Sequence, residues 1–479
     1  MIAEMAPLVK VGGLADIGGA LPRALRELGV DVRVALPFYA TIDRSGDRSG
    51  ITKAAELPDG AALWRTDIAG VPVYLFEQSP AFDRQEVYGY DDDAARFLAF
   101  CDGVLAAADT LGSAEPGEAN WQPDVLHLND WHPGFIAARL AARPANSRRH
   151  PWAGAARVCT IHNLGFTGPV DEDFVQRHGL AAPEPDAPDS ALARSIRHAD
   201  LISTVSPSYA RELLTDDYGW DLAPLLRRRG GRVCGIISGI DIEAFNPATD
   251  PHLAVTFDAG RLHLRAENKL ALQRRLGLPE GGETPVVAMV SRLFWQKGSD
   301  LAAAAVEDLL ATHPLQFVVL GQGDEEHTRP LLALAARYPQ RVAVRLDFDE
   351  PLGQLIFAGC DLFLMPSRYE PGGLGQLVAM RYGAVPVVRR TGGLADSVAP
   401  YEPVGGGAAG DRGVGFLFDE ATPQALAAAI EQALTVYGDA ETWRRLQRRG
   451  MAQDFSWSRA AERYRDLYQR AVELRAEGA

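Results

Sequence analysis

Cysteine is scarce in this chain. Its four, Cys101, Cys159, Cys234 and Cys360, are too few and too scattered for a disulfide framework or a zinc site. That scarcity fits a reducing compartment. Basic charge is short as well: 48 Lys and Arg against 63 Asp and Glu leave a net charge of −15. A surface of that sign repels phosphate backbones and argues against nucleic acid as a partner. Long apolar runs are missing too. None approaches the ~20 residues of a membrane span, and the opening MIAEMAPLVK has no apolar core of a signal peptide. The expectation is a cytoplasmic protein with no membrane partner. Hydrophobic residues at 47% and charged residues at 23% exclude wholesale disorder, and 479 residues suffice for two large domains.

Apolar runs and helical periodicity alternate along the chain. Leu14, Ile17, Leu21, Leu25 and Leu28 recur at helical spacing, and 30–36 (VDVRVAL) alternates as a half-buried strand does. Runs at 124–128, 157–161, 200–205 and 233–237 read as buried parallel strands. A second series lies at 285–290, 315–320, 341–346, 361–365, 385–388 and 414–418, with helical stretches such as 301–311 and 423–436 between. Repeated βα units imply doubly wound α/β sheets with right-handed crossovers, here two sheets of five or more strands. The Pro- and Asp-bearing stretch 240–252 (IDIEAFNPATDPH) marks the division, giving domains 1–245 and 246–455 and an amphipathic helix within 456–479. Doubly wound domains open with a strand leading into a glycine loop. The segment ahead of Gly12 is too short for a full buried strand plus loop, so that strand is either cut short or lies ahead of this numbering.

Three stretches carry chemistry. In KVGGLAD (10–16) the Gly12 and Gly13 amides precede a helix and sit beside Lys10, an arrangement suited to an anion or to a plain tight turn. GGLAD recurs at 392–396, as expected if two similar domains use similar glycine turns. In SRLFWQKG (291–298), Arg292 and Lys297 follow a strand, where open α/β sheets form ligand crevices. They suit a diphosphate, or are two exposed bases. In PSRYEPGGLGQ (366–376), Glu370 stands beside an amide turn. A carboxylate there serves a sugar hydroxyl or a developing cation, or simply favours the helix N-terminus. His127, His132 and His162 lie near strand ends in VLHLNDWHPG and CTIHNLGFTG. Such histidines are more often structural than catalytic, and His127 with His132 lacks a third ligand for a metal.

Taken together, KVGGLADIGGALPRAL, HLNDWH, TIHNLGFTG, SRLFWQKGSDL, PSRYEPGGLGQLVAMRYGAVPVVRRTGGLADSV and DFSWSRAAERYRDLY resemble the bacterial glycogen synthases and plant starch synthases of glycosyltransferase family 5. The resemblance implies a GT-B architecture, two Rossmann-like domains facing a cleft, with the tail helix returning to the first. It implies retaining transfer of glucose from ADP-glucose to the non-reducing 4-OH of an α-1,4-glucan such as glycogen, without a metal or other cofactor. Lys10, Gly12 and Gly13 would touch donor phosphates from the first domain, with Asp16 nearby. Arg292 and Lys297 would hold the diphosphate from the other side. Glu370 would lie at the glucose, the Gly373–Leu374–Gly375 turn would present amides to sugar and phosphate, and His162 would contact the glucose at the reacting centre. Several positions depart from the family pattern: Val11 for Thr, Gly372 for Cys, Gly375 for Thr and Ser238 for Asn. Val378 replaces the second Glu of the related family 4 enzymes, which favours family 5. A family 4-like transferase using UDP-glucose and a catalytically weak glucan-binding relative are the competing readings. A nicotinamide oxidoreductase is not, because the dinucleotide glycine spacing is missing.

Overall fold

A computed structural model describes residues 1–479 except 44–49, 114–120, 143–149, 183–187, 348, 404–411 and 479. The chain forms two compact units, Met1–Gly239 with Trp457–Ala479, and Ile240–Ser456. Ile240 bridges Ser456 in parallel, so the chain changes units at Gly239–Ile240 rather than at 245.

The first unit carries two four-stranded sheets, not one of five or more. One contains β1 (Val34–Pro37), β2 (Thr52–Glu56), β3 (Ala62–Ile68) and β4 (Val71–Glu77), in the order β1-β4-β3-β2. Its β1–β4 pair is parallel and the rest antiparallel. The other contains β5 (Val125–Asn129), β6 (Ala156–Ile161), β7 (Leu201–Thr204) and β8 (Val233–Gly235), parallel throughout and in chain order. Helix α1 (Gly13–Glu27) buries Ala15, Ile17, Leu21 and Leu25, the periodic stripe of its sequence. Against that stripe lies the tail helix, labelled α5 below (Trp457–Glu477), through Trp457, Ala461, Tyr464 and Leu467.

The second unit holds one parallel sheet. Its strands are β9 (Val286–Val290), β10 (Gln316–Leu320), β11 (Val342–Arg345), β12 (Leu362–Met365), β13 (Val385–Arg389) and β14 (Phe416–Phe418), in the order β11-β10-β9-β12-β13-β14. Three helices matter for the site: α2 (Ser299–Leu310), α3 (Gly375–Arg381) and α4 (Gly392–Ser397). Side chains alternate between two cores: Val286 and Ala288 join one, Val287 and Met289 the other. That is why these strands read as continuous apolar runs. The strand order reverses between β9 and β12, and the crevice beyond the carboxyl ends at such a reversal is where doubly wound folds bind ligands.

Candidate active site

In the second unit, the loops that follow β9 and β12 meet at that reversal. The Arg368 amide donates to the Gln296 carbonyl at 2.7 Å, and Gln296 Nε2 donates to the Tyr369 carbonyl at 3.1 Å. These bonds bring Lys297 and Glu370 together: Lys297 Nζ stands 2.6 Å from Glu370 Oε2, with their side chains 16% and 5% exposed. Ser367 Oγ donates to the same oxygen at 2.9 Å. The two residues that the sequence suggested for separate tasks are thus partners. One ammonium donor is committed to the carboxylate, and a lysine has two more. Glu370 Oε1 takes no hydrogen bond from the described residues. Arg292 is exposed, lies over the Phe294 ring at 4.9 Å and forms no ion pair with them. A neutralised pair beside a free guanidinium leaves a net positive site in an acidic protein.

Two glycines shape this loop. Gly373 has φ 69°, a left-handed turn that admits the chain to α3, where Leu374 caps and Gly375 begins the helix. Gly392 has φ 43°, and a Cβ there would stand 1.9 Å from the Glu370 carbonyl oxygen. The second GGLAD therefore seats α4 directly on the Glu370 loop, and the Gly393 amide donates to the Glu370 carbonyl at 3.0 Å. Both copies of the pentapeptide open helices, at Gly13 and at Gly392.

In the first unit, Lys10 and Asp16 form an exposed ion pair at 2.6 Å. The amide turn is not open as expected. The Val11 and Gly12 amides donate to Glu4 Oε2 at 2.6 and 2.8 Å, and Tyr88 Oη donates to Glu4 Oε1 at 2.7 Å. A buried carboxylate of the chain itself thus stands where a phosphate was expected at Gly12. The Gly13 amide belongs to the first turn of α1. Glu4 and Tyr88 escaped the sequence reading; the signal for Glu4 was a lone charge in the apolar MIAEMAPL.

The ends of β5 and β6 place His162. Its amide donates to Asp130 Oδ1 at 2.7 Å, and its Nε2 meets Asn129 Oδ1 at 2.9 Å. Asn129 Nδ2 donates to the Met1 carbonyl, which turns its oxygen toward the imidazole. Nε2 therefore carries the hydrogen, and Nδ1 is an acceptor. That Nδ1 is buried and without a partner among the described residues. Burial pulls the His162 pKa down to about 3, so the ring is neutral at ordinary pH. Asp130 has φ 61° and is buried; loss of solvent raises its carboxyl to about 7, against two amides that favour the charged form. His132 stacks on Trp131 and Tyr88, at 4.2 and 5.0 Å between ring centroids, and its Nδ1 is also unpartnered. His127 is structural: Tyr468 Oη and Thr160 Oγ1 engage its two nitrogens at 2.8 and 2.6 Å.

The chain as a whole is similar to known proteins. Residues 1–228 match the family model for the starch synthase catalytic domain, and residues 274–450 that for glycosyl transferases group 1. The glycogen synthase of Moorella thermoacetica is 42% identical over 98% of this chain and 96% of its own. That of Syntrophotalea carbinolica is 41% identical over 98% of each. Among solved structures, the catalytic domain of starch synthase IV from Arabidopsis thaliana, bound to ADP and acarbose, superposes with a TM-score of 0.85 at 33% identity, covering 98% of both chains. The chain belongs to the glycogen synthase and starch synthase family of GT-B glycosyltransferases.

Proposed function

We propose that this protein transfers glucose from ADP-glucose to the non-reducing end of an α-1,4-glucan, with retention at the anomeric carbon. The observation that carries the reading is the Lys297–Glu370 pair at the strand-order reversal, flanked by the unpaired Arg292. Breaking the glucosyl–phosphate bond leaves negative charge on the nucleotide and positive character on the sugar. Arg292 and the two remaining Lys297 donors hold the departing diphosphate. A unit-charge pair at 4 Å contributes about 4 kcal/mol at an effective dielectric of 20. Glu370 orients Lys297 through Oε2 and offers Oε1 to a sugar hydroxyl. His162, neutral and with a free acceptor at Nδ1, takes a hydrogen bond from a hydroxyl of the glucose. Departure and attack on one face, with the leaving phosphate accepting the acceptor's proton, give retention without a covalent sugar on the protein. Lys10, with Asp16 beside it, and the turn at Gly12–Gly13 contribute a further cation toward the donor; Glu4 occupies the Gly12 amide until an anion competes for it.

Replacing Lys297 with alanine should lower kcat by about 10²–10³, the size of effect seen when one donor to a developing anion is lost. Measuring kcat and KM for ADP-glucose checks it, and an unchanged rate removes Lys297 from the site. Competition between ADP-glucose and UDP-glucose separates this reading from a UDP-glucose transferase.

A further inference from the structure

Trp295 is 56% exposed on the loop between β9 and α2, two positions before Lys297. A lone apolar side chain in solvent needs no special reason. This one differs because its neighbours fix it. The Arg368 guanidinium lies over the indole, 5.1 Å from the ring centroid. Arg368 Nη1 also donates to the Trp295 carbonyl at 2.7 Å, so one side chain holds both the ring and its backbone. Arg368 is fixed in turn. Its two terminal nitrogens donate to the two carboxylate oxygens of Asp300 at 2.9 and 2.6 Å. Tyr369 stands beside the indole, with ring centroids 6.4 Å apart.

These contacts decide what the ring offers. The guanidinium covers one face and leaves the other face and the rim to solvent. The charge of Arg368 is matched by Asp300, so the support behind the ring is neutral as a pair. A ring already held in place loses little freedom when something settles on it. The result is a flat, rigid, apolar platform at the rim of the second unit.

We propose that Trp295 is a stacking platform for a glucosyl unit of the α-1,4-glucan chain, an assignment that rests on the glucan reading above. A glucopyranose chair carries C–H bonds on its faces and hydroxyls around its edge. Its faces are apolar, and their slightly positive hydrogens suit the negative face of an indole. A nucleobase also stacks on indole, but small ligands are enclosed, with roughly 70–90% of their surface buried in a concave site. A ring more than half open to water suits a polymer instead. Such a chain gains affinity from several weak contacts made together rather than from one deep pocket.

The test uses the full chain with Trp295→Ala, Trp295→Leu and Trp295→Phe. Native electrophoresis through gels containing glycogen reads glucan binding without turnover. The Ala and Leu variants should bind glycogen at least about fivefold more weakly, whereas the Phe variant, which keeps a flat ring, should stay within about twofold of the parent. In the transfer assay the KM for glycogen should rise by the same factor in the Ala and Leu variants. Their KM for ADP-glucose, and kcat with saturating maltotriose, should match the parent. Equal glycogen binding by parent and Ala variant would overturn the proposal. So would a Leu variant that binds as the Phe variant does, since bulk rather than a flat face would then suffice. A raised KM for ADP-glucose with unchanged glycogen binding would also overturn it and assign the ring to the nucleobase. Glycogen binding that depends on Trp295 in a protein that transfers no glucose would refute the transfer reading and leave the platform standing.

Discussion

Substituting Glu370 with alanine removes the partner of a nearly buried ammonium, whereas Glu370→Gln keeps the shape and the hydrogen bond to Ser367. Both remove the carboxylate charge, and breaking a buried pair from one side costs about 3–5 kcal/mol, so both variants should unfold at lower denaturant than the parent and lose activity, the alanine variant lower still because it also loses the hydrogen bonds to Lys297 and Ser367; a glutamine variant as stable as the parent would place the pair in solvent. Asp130 makes a second residue-scale prediction. Its carboxyl titrates at about 7 in the folded chain against an ordinary 3.8. Between those values the unfolded chain has released its proton and the folded chain has not. The Asp130 contribution is therefore full below pH 4 and is lost as pH rises to 7. Asp130→Asn should gain stability relative to the parent between pH 5 and 8, read as the difference in their unfolding midpoints; a constant difference across that range contradicts the raised pKa. The residues proposed for the reaction were partly legible. Arg292, Lys297, Glu370 and His162 sit in motifs that announce themselves by charge and glycine. Their pairing does not, because the 73 positions between Lys297 and Glu370 are closed only by the sheet. Glu4 on the Gly12 amide was hidden for the same reason, as Tyr88, 84 positions away, completes its setting.

At the scale of elements, the parallel strands and the flanking helices were readable because burial on both faces leaves continuous apolar runs. The antiparallel ladder β2–β3–β4 was not. TKAAE of β2 is mostly exposed and carries no apolar alternation, so its strand character comes from pairing with β3. The split of the first unit into two four-stranded sheets, with β1 and β5 at their edges, differs from the single larger sheet that the apolar runs suggested. The seat of α4 on the Glu370 loop gives a test of element geometry. Gly392→Ala must move a Cβ away from a carbonyl 1.9 Å distant and adopt a positive φ. It should reduce activity by displacing Glu370 while leaving the first unit's stability unchanged; full activity would show that the loop tolerates the shift. Helix α5 gives another. Tyr464 is 1% exposed in the core shared with α1. Truncating a large buried aromatic costs about 3–5 kcal/mol, so Tyr464→Ala should destabilise the first unit although it lies after the second in sequence, which segment-resolved hydrogen exchange would show.

For the whole molecule, an excess of acid and a net charge of −15 argue against nucleic acid as a partner. The same acidity coexists with a local cationic site, because Glu370 neutralises Lys297 and leaves Arg292 in excess. Global charge neither attracts nor repels a neutral glucan, so in the proposed reaction the donor contacts fall to these few side chains. Among the described residues no helix is long and apolar enough to cross a membrane. Each unit carries its own part of the candidate residues: Arg292, Lys297 and Glu370 lie by the strand-order reversal of the second unit, and His162 lies at the ends of β5 and β6 in the first. The most direct measurement is incubation of the purified, folded protein with glucose-labelled ADP-glucose and glycogen, followed by digestion and anomeric analysis of the new linkage. The account predicts label in the glucan through α-1,4 bonds at non-reducing ends, abolished by Glu370→Gln. Failure to incorporate label, or incorporation through an inverted linkage, would contradict it.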